Sequence, residues 1–165
     1  MSSYLALAVS VGLLAILDTW LYVGTGSPVA AMLPGLIWVS FVAWGCFFQS
    51  GAGTKGLTTA IVGMSFGAVV GMAAVMGAGA LPLGEFALPV TVGLGAFVIC
   101  LASAVGLLST IPASVYGFAS IAGPIALTGR DPMEALWQTV LSIVIGAVFG
   151  LVSEKLAGML TKKGA

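Results

Sequence analysis

Asp18 is the residue of this chain whose chemistry is hardest to ignore. It lies inside the apolar run Tyr4–Val23, in the context "AILDTWLY". A carboxylate at membrane depth is costly, and by default it is a functional-site hypothesis. There it would handle a proton or a solute. The plainer expectation rests on position: Asp18 is a turn or so from the end of its helix, where Trp20 and Tyr22 resemble an interfacial aromatic belt. On that reading the carboxylate is hydrated or caps the helix end, and the sequence favours it.

A second constellation is uncharged. In "STIPASVYGFAS", Ser109, Ala113, Tyr116 and Ser120 follow at spacings of four, three and four, along one stripe of a helix. Thr110 and Ser114 widen the polar edge, and Pro112 would locally free a carbonyl. Such a row suits hydrogen bonding to water or a small neutral solute. It suits equally well bonding to neighbouring helices or to its own carbonyls, the commoner fate of membrane serines.

Glycines form the third pattern. Gly63, Gly67 and Gly71 are four apart, as are Gly146 and Gly150, with Glu154 continuing the second series. Small residues at this spacing let helices approach closely where lipid offers no hydrophobic gain. Helix packing is the expected role, and a narrow glycine-lined path the alternative. Glu154 is read as an interfacial anchor beside Lys155, with a place on a cation route as the alternative.

Enzymatic equipment is scarce. The chain has no histidine, and its two cysteines, Cys46 and Cys100, each lie in an apolar run. No catalytic, metal or cofactor residue is expected, and the chain is read as a non-enzyme. The thiols read as inert packing groups.

The elements that must hold these residues are membrane helices. Of 165 residues, 60% are hydrophobic and 6% charged, and the mean hydropathy is +1.21. A soluble surface needs roughly a quarter charged residues. The apolar runs predict an all-α, polytopic helical membrane protein, one transmembrane domain over 1–165. Spans are expected at about 4–23, 29–48, 57–76, 85–106, 107–127 and 132–156, each near the ~20 residues needed to cross. The first run lacks a basic leader and is read as a retained helix. Ser27 and Pro28 announce the second span; Asp131, Pro132 and a capping-box Glu134 announce the last. No internal repeat is evident by eye, so an inverted-repeat transporter is not indicated.

Six transmembrane helices place Lys55, Lys155, Lys162 and Lys163 on one side, and Glu85, Arg130, Asp131 and Glu134 on the other. That obeys the positive-inside bias with both termini cytoplasmic. The alternative is five helices plus a re-entrant segment at about 107–123.

The run "GTKGLTTAIVGMSFGAVVGM", with "FVAWGCFFQSGAG" before it and "STIPASVYGFASIAG" and "LSIVIGAVFGLVSEK" after it, resembles the small bacterial inner-membrane family DUF1097, a domain of unknown function. The resemblance covers nearly the whole chain. It implies a compact multi-span inner-membrane protein and supplies no catalytic residue.

The expected function is a channel or facilitated transporter for a small neutral or weakly polar solute, since hydroxyls, glycines and aromatics suit uncharged cargo. A non-transporting scaffold or partner subunit is the alternative. Expected partners are the lipid bilayer and further copies in a homo-oligomer; zero net charge suggests no nucleic acid.

Overall fold

The computed structural model describes residues 1–161. Lys162 and Lys163, two of the lysines expected to gather at one face, lie outside the described residues. Seven helices follow in order: α1 (Ser3–Val23), α2 (Pro28–Met32), α3 (Ile37–Gln49), α4 (Gly53–Ala80), α5 (Ala87–Ala102), α6 (Ile111–Thr128) and α7 (Pro132–Leu160). Short 3-10 turns at Gly84–Phe86 and Gly106–Leu108 lead into α5 and α6. Five segments are long and apolar enough to cross a membrane, and α3 is a shorter apolar helix. Apolar side chains face outward: Ile16 is 70% exposed and Phe97 60%, while Ser10, Ser40, Ser120 and Ser142 are fully buried. A soluble domain would place these the other way round.

Two expected spans are corrected. The helix expected over 29–48 is broken into α2 and α3, because Pro34 disfavours helical geometry at Leu33 (φ −124°, ψ 54°) and Gly35 takes a positive φ of 72°. The span expected at 85–106 ends at Ala102. The segment around 107–127 does not dip and return. α6 runs unbroken to Thr128 alongside α4. Pro112 sits in its first turn and frees no carbonyl; Pro124, deeper in the helix, does.

Glycines set the packing. A Cβ built on Gly63 would stand 2.8 Å from that of Ala113. One on Gly67 would fall on the Ser114 carbonyl, and one on Gly71 would press on Phe118 and Ile121. The partners advance in the same direction on both helices, so α4 and α6 are parallel. Likewise Gly146 meets the Ser40 carbonyl and Gly150 the Phe47 ring, so α3 and α7 are parallel. All five glycines are buried by helix packing, as their spacing predicts.

These two seams are related. Ser40 and Ser114 are each the fourth residue of their helix, and Phe47 and Ile121 each the eleventh. The glycines that meet them belong to "GAVVG" at 67–71 and "GAVFG" at 146–150. In one seam the last crossing of the first half (α1 to α4) meets the middle crossing of the second half (α5 to α7). In the other, the roles of the halves are exchanged. With α2 and α3 counted together as one crossing, each half would cross three times, and the second would enter from the opposite side. The Gly53 amide donates to Glu154 Oε2 at 2.9 Å, bringing the start of α4 to the end of α7 as this inversion requires. This reciprocal pairing is the pattern that an inverted repeat would give, and the sequence read by eye did not suggest one. Its signature is close backbone approach, written in few residues.

Candidate functional site

The bundle brings Asp18 to a place its sequence position did not suggest. α1 turns a stripe of Ala6, Ser10, Asp18 and Tyr22 inward. Asp18 is fully buried, and Tyr22 is 3% exposed where Trp20 is 53% exposed. Trp20 thus suits an interfacial belt and Tyr22 does not. The expected hydrated helix end is corrected: packing against α3 and α7 leaves the carboxylate no exposed surface in this conformation.

The Ser40 hydroxyl donates to Asp18 Oδ2 at 2.8 Å. Oδ1 is buried without a partner. One turn further along α1, the Tyr22 hydroxyl faces Ser142, Ser40 and the Asp18 carboxylate, but closes no hydrogen bond with them. Ser142 belongs to α7, and Thr139 stands one turn before it, both fully buried with unpartnered hydroxyls. Buried polar atoms in native proteins are nearly all satisfied. An unpartnered carboxylate oxygen with the unpartnered hydroxyls of Tyr22 and Ser142 beside it, and that of Thr139 one turn away, is the arrangement expected of a ligand site rather than of packing.

The frame around this cluster is polar and well tied. Arg130 donates to Gln138 Oε1 at 2.7 Å and to the Pro34 carbonyl at 3.0 Å. Gln138 donates to the Met32 carbonyl and to Glu134 Oε1, each at 3.0 Å. The broken segment between α2 and α3 is thereby clamped to the first turns of α7. Asp131 Oδ1 caps α7 through the amides of Met133 and Glu134, as expected. Glu134, expected to close a capping box, bonds Gln138 instead. The clamp holds the N-terminus of α3 so that Ser40, in its first turn, reaches Asp18.

The hydroxyl row of α6 is dispersed. Ser109 precedes the helix, is exposed, and donates to the Gly106 carbonyl at 2.8 Å. Thr110 makes no capping bond, and Pro112 is exposed. Ser114 and Ser120 are buried on the face that also carries Ala113, Gly117 and Ile121, the face packed on α4. Tyr116 is half-buried against the apolar core. The row expected from spacing is thus divided between a link, a seam and the core, because α6 starts only at Ile111.

Glu154, half-buried near the end of α7, accepts the Gly53 amide at the start of α4 at 2.9 Å, a position the helix dipole favours. Cys46 is buried in the core, while Cys100 is exposed on the outer face of α5. No three His, Cys, Asp or Glu residues gather among the described residues.

Ser40, Thr139, Ser142 and the role of Tyr22 were missed by sequence reasoning. One signal was available: Thr139, Ser142 and Gly146 share one face of α7 at spacings of three and four.

The family of proteins of unknown function DUF1097 matches residues 8–158. The chain belongs to this family. The matched stretch contains most of both halves and every residue of the Asp18 cluster. No curated protein and no solved structure matches the chain.

Proposed function

We propose that this multi-pass membrane protein is a transporter, moving a small neutral or weakly polar solute by displacement of its two inverted halves against each other. The observation that carries the reading is the pair of reciprocal seams, with Gly67 on the Ser114 carbonyl and Gly146 on the Ser40 carbonyl. Inverted halves give two equivalent packings that open to opposite faces, the device of many secondary transporters, with the site at their interface near mid-depth. The broken span α2–α3 beside Asp18 fits the same pattern, since discontinuous helices commonly build such sites. Hydroxyls and a single acid suit uncharged cargo. Lys55 and Lys155 at one end, against Arg130, Asp131 and Glu134 at the other, support a bacterial cytoplasmic membrane with both termini inside.

A second reading, a non-transporting partner subunit, is favoured by one feature. A cleft of about 320 Å³ between α4 and α5, lined by Val69, Val70, Ala73, Thr91, Gly95 and Val98, is apolar enough to take another helix. Proteoliposome flux separates the two. The transporter reading expects raised permeability to at least one solute in a panel of small neutral and weakly polar compounds. Permeability equal to that of empty liposomes for every member sinks it.

A further inference from the structure

The geometry points to Asp18 as a reversible proton-binding site, formed by the carboxylate with Ser40, Tyr22 and Ser142 around it. The argument starts from what the carboxylate lacks. One hydroxyl donates to Oδ2 and nothing to Oδ1. An ionised carboxylate in apolar surroundings needs more than a single neutral donor to offset its lost hydration. Either a proton or an ion must meet it.

The surroundings favour the proton. A sodium ion in a membrane protein is commonly held by carbonyls that helix breaks set free. α1 is continuous through Asp18 and α7 through Ser142, so neither offers one, and at the α2–α3 break the carbonyls of Met32 and Pro34 are already taken by Gln138 and Arg130. α3 presents its N-terminal turn to the carboxylate through Ser40, and the positive end of a helix dipole opposes a resident metal cation. The same dipole supports the anion once the proton has left, so both states remain accessible.

No charged neighbour substitutes for the proton. The titratable group facing Asp18 from its own helix is Tyr22. α2 carries no titratable residue. On α3, Cys46 lies 3.8 Å from Ser50. On α7, Glu134 is bonded to Gln138 and Glu154 to the Gly53 amide, while Lys155 is exposed. When Oδ1 is protonated it becomes a donor, and a small side-chain movement would let the nearby Tyr22 hydroxyl, which faces Ser142 in turn, accept from it. When it is not, that hydroxyl rotates to donate. The only bond made or broken is O–H on Oδ1, with the proton coming from and returning to water.

The second half lacks an equivalent. The inward stripe of α5 is Ala87, Thr91, Gly95 and Ile99. Among the described residues there is thus one such site, and a transport cycle would move one proton with the solute. That coupling rests on the transporter reading; the proton site itself does not.

Infrared difference spectra of the full chain in lipid, titrated over pH, test the site directly. The carbonyl stretch of a protonated carboxylic acid should grow as pH falls and be lost in Asp18→Asn, whose amide oxygen still accepts from Ser40. Ser40→Ala should move the midpoint of that titration, a readout that covers the case of Asp18→Asn failing to fold. An unchanged band in Asp18→Asn, an unmoved midpoint in Ser40→Ala, or a band displaced by sodium at fixed pH would each overturn the proposal. Proteoliposomes with a pH-sensitive dye inside add the coupling test: solute-dependent acidification is expected, lost in Asp18→Asn. A titrating Asp18 with no solute flux would sink the transporter reading and leave the site standing.

Discussion

In the seam of α3 and α7, the hydroxyl beside the close backbone contact belongs to Ser40 and donates to a buried acid. In the seam of α4 and α6, the hydroxyl at the equivalent place is Ser114, which has no partner. Trp44 in the first seam donates from Nε1 to Ser153 Oγ at 3.1 Å. Phe118, which stands at the same position of α6, has no polar atom to offer. One packing solution therefore serves two purposes: in one half it only joins helices, and in the other it also positions a carboxylate. Function enters such a fold through a few polar residues in one of the two seams, with the backbone geometry common to both.

The largest expected effect tests what the seams share. Gly67→Ala and Gly146→Ala each drive a methyl group into a backbone carbonyl that has no rotamer by which to move away. Each should lower stability by about 3 kcal/mol or more, read as a drop in the thermal unfolding midpoint in detergent. Gly12→Ala and Gly93→Ala meet open space and should stay within about 0.5 kcal/mol. A tolerant Gly67→Ala beside a damaging Gly146→Ala would break the equivalence of the halves.

Smaller effects sharpen the difference between the seams. Ser40→Ala removes the one donor to Asp18 and should cost about 1–2 kcal/mol. Ser114→Ala removes a hydroxyl without a partner, and the same melting experiment should show a change below about 0.5 kcal/mol. Equal costs would mean that Ser40 does nothing special for the carboxylate. Trp44→Phe deletes one interhelical bond and makes α3 resemble α6 at that point; about 0.6 kcal/mol is expected in a double-mutant cycle with Ser153→Ala. Glu154→Gln, which removes the charge at the start of α4, should cost about 0.5 kcal/mol. Added salt should reduce the difference between native protein and variant in the same assay.

Much of the fold could be read in advance, and the reasons are local. Six apolar runs mark six crossings, and the glycines at spacings of four mark the packed faces, because each signal is complete within one helix. The break at Pro34–Gly35 was also written locally, in a dipeptide that ends helices, yet the hydropathy of 29–48 concealed it: apolar content is blind to backbone geometry. The α6 row shows the opposite failure. Its spacing was right for a stripe, but the helix begins at Ile111 and its inward face is chosen by α4, so Ser109 and Tyr116 never join Ser114 and Ser120 on one surface.

Composition and periodicity alone determined that this chain is a helical membrane protein and which residues would let helices touch, since lipid exposure and small-residue packing act on each helix separately. The tertiary structure decided the two features on which function turns. One is the reciprocal relation of the halves, which exists only in the pairing of α3 with α7 and α4 with α6. The other is the environment of Asp18, where Ser40, Tyr22 and Ser142 converge from three helices. Burial of a carboxylate depends on what covers it, and no single helix carries that information.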